Sequence, residues 1–140
     1  MRASSNGLTV LVVEDDWLVR ADIVVGLQQE GWTVLEAATG AGALQVLRDS
    51  DIVDLLITDI GLADAMTGWD VAEAFRASRP KAPVVYASGG PNNEARQVPG
   101  SVFLTKPVVI SRLLMCCVEL VKTMNESSTP AAIDRPSAAN

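Results

Sequence analysis

Acidic residues, a serine and a lysine stand where four of the apolar segments of this sequence end. The first segment ends in Glu14-Asp15-Asp16, the third in Asp59, the fourth in Ser88 and the fifth in Leu104-Thr105-Lys106-Pro107. Carboxylates brought close together repel one another, so either they retain protons or a cation neutralises them. Because oxygen-only ligands suit hard Mg²⁺ better than a transition metal, the carboxylates predict a divalent cation site.

A carboxylate beside such a cation can attack phosphorus. Asp59 is the candidate nucleophile, because carboxylates accept phosphoryl groups and a metal offsets the charge that builds on the phosphoryl oxygens. Lys106 supplies a compact cation for another oxygen, and Ser88 supplies a hydroxyl donor. These residue types therefore favour phosphoryl transfer to Asp59.

Short apolar strands and helical stretches must position these residues. Strands are predicted at 8–13, 32–36, 53–58, 83–87 and 102–104, and helices at 16–29, 41–48, 68–78 and 108–123. Strands linked by helices of this length form a parallel sheet with helices on both faces, so we expect a doubly wound α/β fold. In such a sheet, ligands bind beyond the carboxyl ends of the strands, where all the candidate residues lie.

The segment between the fourth and fifth strands contains many helix breakers. A brief stretch that could form a helix, 93–97, is surrounded by Gly89, Gly90, Pro91, Pro99 and Gly100. Glycine and proline both disfavour a helix interior. We therefore expect the fourth helix to be shortened or missing.

The chain of 140 residues has the length of one domain. We expect a flexible N-terminus at 1–7, one domain at 8–124, and a disordered tail at 125–140 that is rich in Ser, Ala and Pro. The net charge is -6 and no Lys/Arg cluster occurs, which argues against direct nucleic-acid binding. No histidine is present, which excludes a Ser-His-Asp triad.

Features of targeting and redox chemistry indicate a cytoplasmic protein. The N-terminus is short and polar, and no apolar run approaches the roughly 20 residues that a membrane span needs. Cys116 and Cys117 are adjacent in a helical pattern, where they point to different faces. They are interpreted as core residues in a reducing compartment.

The quoted motifs, in this order, resemble the receiver domains of two-component response regulators. The resemblance lies in Val12–Asp16, Ile57–Asp59, Val85–Gly89 and Leu104–Pro107, and it covers roughly 8–124. It implies a flavodoxin-like receiver fold with five parallel strands, of the single-domain type with no effector domain.

The resemblance also implies a role for each site residue. Glu14 and Asp15 hold Mg²⁺, Asp15 directly and Glu14 through water, and Mn²⁺ is the alternative metal. Asp59 is the phospho-acceptor and a metal ligand, and the backbone carbonyl of Gly61 completes the metal shell.

Further roles follow from the same resemblance. Ser88 and Lys106 contact the phosphoryl group, and Ser88 and Phe103 form the switch pair. The Lys106-Pro107 bond is expected to be cis. The loop after Asp59 is one residue longer than usual, and the altered 88–106 region changes the usual output surface.

Simpler interpretations exist for several of these residues. Asp16 suits a helix N-terminus through the helix dipole, and Ser88 could be a turn hydroxyl before two glycines. Lys106 could be a solvated surface cation, and Phe103 could be an ordinary core residue.

The function predicted is a phosphorylation-dependent signalling switch, not an enzyme beyond self-directed phosphotransfer and autodephosphorylation. A histidine kinase or histidine phosphotransfer protein would phosphorylate Asp59, and output would be protein contact with an unknown downstream partner or phosphorelay. The switch is expected to be a monomer or a weak homodimer.

Two alternatives stay open. The first is a Mg²⁺-dependent phosphatase with an aspartate nucleophile, although Gly61 stands where such an enzyme needs a second carboxylate. The second is a receiver that acts as a scaffold without being phosphorylated.

Overall fold

The computed structural model describes residues 7–128, in which strands and helices alternate along most of the chain. The strands are β1 (Thr9–Val13), β2 (Thr33–Ala37), β3 (Leu55–Thr58), β4 (Val84–Ser88) and β5 (Val102–Thr105). The helices of the described residues are α1 (Trp17–Gln29), α2 (Gly40–Asp49), α3 (Gly68–Ser78) and α4 (Ile110–Ser128).

The strands form one five-stranded parallel sheet in the order β2-β1-β3-β4-β5. The chain moves outward from β1 to β2 and then returns past β1 to β3, so the strand order reverses between β1 and β3. This is the doubly wound α/β fold predicted from the sequence, and the reversal lies where Glu14 and Asp59 leave their strands.

The core lies on both faces of the sheet because successive strand residues point to opposite faces. Leu11 and Leu56 pack in one cluster with the α3 residue Phe75. Val12 and Ile57 pack in the other cluster, which includes Leu27 of α1 and Leu113 of α4. Burial of such side chains stabilises the fold by about 1.5–3 kcal/mol each, so the strand ends that carry the site stand on a rigid base.

Side chains in front of the helices fix where the helices begin. The Asp16 carboxylate accepts hydrogen bonds from the N–H groups of Leu18 and Val19, which makes it the N-cap of α1. At the other end of α1, Gly31 adopts a φ of 88°, a conformation that favours glycine. Helix α1 therefore has defined ends, with the acidic turn at 14–16 before it and Gly31 after it.

No helix forms between β4 and β5, which confirms the prediction for this segment. The segment forms a turn near Glu94 and is fastened to neighbouring elements. The Tyr86 hydroxyl accepts a hydrogen bond from the Val98 N–H at 3.1 Å, and Arg76 of α3 donates to the Pro99 carbonyl at 2.7 Å. These contacts hold the backbone that a helix would otherwise organise.

The ends of the chain differ in part from the expectation. Helix α4 continues to Ser128, past the expected domain boundary at 124. The remainder of the predicted tail, 129–140, and residues 1–6 of the predicted flexible N-terminus lie outside the described residues. None of the helices in the described part of the chain has the length and apolar character to cross a membrane.

Candidate functional site

The ends of β1 and β3 place the acidic residues opposite each other. Val13 pairs with Thr58, the last residues of the two strands. The Asp59 N–H donates to the Val13 carbonyl at 2.9 Å, and the Glu14 N–H donates to the Ala37 carbonyl at 3.0 Å. Sheet hydrogen bonding thus continues one residue past each strand and fixes the backbone of both acids.

Glu14, Asp15 and Asp59 form a carboxylate cluster in which each contributes an oxygen within 4.8 Å of the others. Glu14 is buried, with 2% of its surface exposed, whereas Asp15 is exposed and Asp59 is partly exposed. The oxygen-only donor set is one that a hard divalent cation prefers.

Lys106 joins two members of this carboxylate cluster. Its Nζ donates to Glu14 Oε1 at 2.5 Å and to Asp59 Oδ2 at 2.9 Å. Its backbone N–H donates to the Ser88 carbonyl at 2.9 Å, and the Lys106-Pro107 peptide is cis, as the family resemblance implies. Lys106 is therefore part of the site rather than a freely solvated cation.

The pKa values of Glu14 and Lys106 are both raised, for different reasons. Burial raises the pKa of the Glu14 carboxyl and exceeds the lowering by hydrogen bonds from Lys106 and the Asp16 N–H. Burial by itself lowers the pKa of Lys106, but hydrogen bonds to Glu14 and Asp59 and their charges outweigh it, so that pKa is raised. Glu14 therefore holds its proton more firmly mainly because it is buried, whereas Lys106 does so because it bonds to two carboxylates.

The Asp59 side chain and backbone are confined by residues of β3, of the loop that follows it and of α3. Asp59 Oδ1 accepts from the Ile60 N–H at 2.6 Å, and the Thr58 hydroxyl donates to the Asp59 carbonyl at 2.7 Å. Gly68, the first residue of α3, lies so close that an added Cβ would stand 1.9 Å from the Asp59 carbonyl oxygen. The Asp59 backbone therefore has little room to move.

Ser88 and Gly61 lie with Asp59 around one open pocket of about 690 Å³, which Trp69 also lines. The Ser88 hydroxyl is buried and accepts a hydrogen bond from the Gly90 N–H at 3.2 Å. This contact fits a turn hydroxyl, yet it leaves the Ser88 hydrogen able to donate. The pocket leaves Asp59 accessible from solvent.

Phe103 does not line this pocket. It is half-buried and packs against Trp69, with ring centroids 6.1 Å apart, and against Tyr86 at 6.3 Å. Trp69 connects this aromatic cluster to the pocket, because it contacts Tyr86 at 4.7 Å and also lines the pocket wall. The structure thus brings six of the seven predicted site residues to one edge of the sheet and places Phe103 behind Trp69.

Three residues with roles at the site were absent from the sequence prediction. Arg20 donates from Nη1 to the Glu14 carbonyl at 2.7 Å, and Thr58 and Gly68 contact the Asp59 backbone. All three act on backbone atoms, which leave no pattern in a sequence. For Gly68, a helix that begins with glycine after a loop is the signal that could have suggested close packing.

The loop after Asp59, expected to be longer than usual, is attached to α2. The Asp64 carboxylate accepts hydrogen bonds from the N–H groups of Gly40 and Ala41 at 3.0 Å each. These bonds lower the pKa of Asp64, because they stabilise its charged form at a helix N-terminus. Asp64, in the middle of the loop that carries Gly61, therefore attaches this loop to the start of α2.

Comparison with known proteins identifies the class that this fold and site define. The family model of the response regulator receiver domain matches residues 10–116. The chain therefore belongs to the receiver-domain family, whose members are phosphorylation-dependent signalling switches rather than classical enzymes. Receiver domains are phosphorylated by histidine kinases and bind Mg²⁺ at an acidic pocket.

Individual relatives agree with this assignment. The sensor kinase CckA of Brucella abortus is 32% identical over 123 residues, which cover 84% of this chain and 13% of the kinase. The alkaline phosphatase synthesis transcriptional regulatory protein SphR of Synechococcus elongatus is 30% identical over 94% of this chain and 56% of its own length. This chain thus spans little more than half, or less, of these relatives.

A solved structure matches over nearly its whole length. The crystal structure of a response regulator receiver protein from Sinorhizobium medicae has a TM-score of 0.81 and 29% identity, and the match covers 86% of this chain and 99% of that chain. The likeness therefore extends over a complete receiver fold.

Proposed function

We propose that Asp59 is the residue that accepts the phosphoryl group in this receiver. The observation that carries the proposal is its position: one Asp59 oxygen lies 2.9 Å from Lys106 Nζ, and the carboxylate clusters with Glu14 and Asp15 in the wall of an open pocket. The donor would be a histidine kinase or a histidine phosphotransfer protein, and the acyl phosphate would later be hydrolysed to restore Asp59.

We propose Mg²⁺ as the cofactor, with Mn²⁺ as the alternative, held by Glu14, Asp15, Asp59 and the Gly61 carbonyl. Both Glu14 oxygens already accept hydrogen bonds, from Lys106 and from the Asp16 N–H, which favours a contact through water. The exposed Asp15 carboxylate suits direct ligation. When bound, the ion offsets negative charge on the phosphoryl oxygens and in the carboxylate cluster.

In the transfer, a bond forms between an Asp59 carboxylate oxygen and phosphorus while the phosphorus–nitrogen bond of the phosphohistidine breaks. The electron pair of the broken bond stays on the imidazole nitrogen. The ammonium of Lys106, which bonds to Asp59, would pair with one phosphoryl oxygen, and the Ser88 hydroxyl, which lines the same pocket as Asp59, would donate to another. These charge-assisted contacts stabilise the phosphorylated state.

The switch would act through Ser88 and Phe103. Movement of Ser88 toward the phosphate would carry the Gly90 N–H that bonds to its hydroxyl, and so would shift the start of the 89–100 segment. Phe103 would respond through its packing on Trp69. Phosphate thus selects one of two arrangements, and the output is contact with a downstream protein or phosphorelay.

The test is to incubate the full chain with acetyl phosphate and Mg²⁺ and to measure its intact mass. We expect a mass increase of one phosphoryl group in the wild type and in Asp51→Asn, which changes an exposed carboxylate outside the site. Asp59→Asn should show no increase. An adduct that persists in Asp59→Asn would reject Asp59 as the acceptor, and rapid multiple turnover of phosphate esters would favour the phosphatase alternative.

A further inference from the structure

We infer that Arg20 is a positioning residue for the metal site, because it holds the Glu14–Asp15 peptide in the orientation that brings both carboxylates to Asp59. The inference rests on the proposed metal site. It concerns a residue one turn into α1 whose side chain bonds to the backbone of the acidic turn.

The need for such a residue follows from where β2 ends. The β1–β2 ladder closes with the pair Val13 and Ala37, and the Glu14 N–H still donates to the Ala37 carbonyl. The Glu14 carbonyl therefore lies beyond the last residue of β2. Arg20 Nη1 donates to this carbonyl at 2.7 Å, so the oxygen keeps a strong donor where the strand no longer supplies one.

One hydrogen bond at this oxygen affects two proposed metal ligands. The carbonyl belongs to the peptide that joins Glu14 to Asp15, so a rotation of this peptide changes ψ of Glu14 and φ of Asp15 together. Those angles set the separation of the two carboxylates, which lie within 4.8 Å of each other and of Asp59. Holding the peptide therefore preserves the spacing of the whole carboxylate cluster.

The Arg20 guanidinium also forms an ion pair with Glu36 of β2. Arg20 Nε donates to Glu36 Oε1 at 3.0 Å, and Glu36 pairs with Val12 in the ladder between β1 and β2. Only 20% of the Arg20 side chain is exposed. Its planar fork reaches a backbone carbonyl and a carboxylate at once, and the Glu36 charge offsets its own, so we expect its effect on the site to be geometric.

The experiment measures Mn²⁺ binding to the full chain from the electron paramagnetic resonance signal of free Mn²⁺. We expect Arg20→Ala to weaken binding by about tenfold, the scale typical of groups that hold metal ligands in place. Arg20→Lys should recover most of the affinity, because an ammonium can still donate to the Glu14 carbonyl. Glu36→Gln should weaken binding less than Arg20→Ala, because the carbonyl contact survives.

A destabilised control separates positioning from general stability. Val53→Ala truncates a buried side chain just before β3, at the end of that strand opposite Asp59, and should lower stability while leaving Mn²⁺ affinity unchanged. If Arg20→Ala does not fold by circular dichroism, Arg20→Gln takes its place, because glutamine is a good helix former yet too short to span both contacts.

The outcomes distinguish the two proposals. Wild-type affinity in Arg20→Ala or Arg20→Gln, or an equal loss in Val53→Ala, would overturn the positioning role while leaving the metal site intact. Failure of the wild-type chain to bind Mn²⁺ would overturn the metal site and this inference with it.

Discussion

At the scale of single residues, hydrogen-bond donors distinguish the carboxylates in and around the site. Glu14 and Asp59 both accept hydrogen bonds from the Lys106 ammonium. Asp64 instead accepts hydrogen bonds from two backbone N–H groups at the start of α2. Asp70 accepts from the N–H and hydroxyl of Thr67 and from Arg96 of the 89–100 segment. These carboxylates therefore differ in what they bond to: Glu14 and Asp59 pair with an ammonium, Asp64 caps α2, and Asp70 attaches α3 to the 89–100 segment.

Asp70 is the third residue of α3 and forms a capping box with the N-cap residue Thr67, because each side chain accepts a hydrogen bond from the backbone N–H of the other. This arrangement predicts a pH-dependent difference in stability. Hydrogen bonds from the Thr67 backbone and hydroxyl, and the contact with Arg96, lower the pKa of Asp70 below its ordinary 3.8. A lowered pKa contributes stability above pH 3.8 that is lost as pH falls through the folded-state value. Asp70→Asn should lower the free energy of unfolding by about 0.5–1 kcal/mol at neutral pH, a modest amount because the group is partly exposed.

The effect is measured by urea unfolding of the wild type and Asp70→Asn from neutral pH down to below pH 3.8. The difference between them should shrink toward zero in acid, while Asp51→Asn, exposed and outside the capping box, should show no comparable trend. A difference that stays constant down to low pH would mean that the Asp70 charge does not support the cap.

At the scale of elements, the contact between α3 and the end of β3 limits where Asp59 can stand. A Cβ on Gly68 would lie 1.9 Å from the Asp59 carbonyl oxygen and 2.8 Å from its carbon, and neither backbone atom can yield cheaply. Gly68→Ala should therefore push α3 and Asp59 apart. We expect a loss of about 1–3 kcal/mol in unfolding free energy and slower phosphorylation by acetyl phosphate.

Urea unfolding and the time course of intact mass measure both consequences. Gly89→Ala is the control for stability, because its added methyl group would meet nothing within 4 Å. Normal stability and a normal rate in Gly68→Ala would show that the loop accommodates the methyl group without moving Asp59.

Element prediction from the sequence succeeded where composition changes sharply. The apolar runs gave all five strands, and α3 was predicted at 68–78, as observed. The end of α4 was placed too early because the residues after 123 are polar, yet no glycine or proline interrupts the chain before Pro130, so the helix continues to Ser128. The site residues at strand ends were predictable because parallel strands bring their ends together.

Two kinds of contact could not be predicted from the sequence: side-chain contacts to backbone atoms, and contacts between residues that are far apart along the chain. Arg20 bonds to the Glu14 carbonyl, and Tyr86 to the N–H of Val98, twelve residues away. Neither contact leaves a periodic pattern. The breakers in 89–100 predicted that the fourth helix would be shortened or missing, but the hydrogen bonds by which Tyr86 and Arg76 hold the segment are visible only in the structure.

At the scale of the whole molecule, exposed apolar side chains flank the edge of the sheet that carries the site. Trp17 and Leu18 begin α1 directly after the acidic turn and are 69% and 57% exposed, and Val109, just before α4, is 66% exposed. Between α1 and the start of α4 lies an apolar groove of about 390 Å³ that includes Lys106. We expect a protein that donates a phosphoryl group to Asp59 to contact this region, whereas acetyl phosphate is small enough to enter through the pocket without touching it.

A substitution in this region should therefore slow phosphorylation by a protein donor without slowing phosphorylation by acetyl phosphate. Trp17→Ala should slow phosphorylation by a phosphorylated histidine phosphotransfer domain about tenfold, because a large exposed aromatic at a protein contact typically contributes more than 1 kcal/mol. Phosphorylation by acetyl phosphate should keep its wild-type rate. Ile52→Ala is the matched control, since Ile52 is also exposed but precedes β3 at the opposite edge of the sheet. If Trp17→Ala slows both donors equally, the side chain acts on the chemistry at Asp59 and not on docking; if neither donor is slowed, the protein donor approaches from another side.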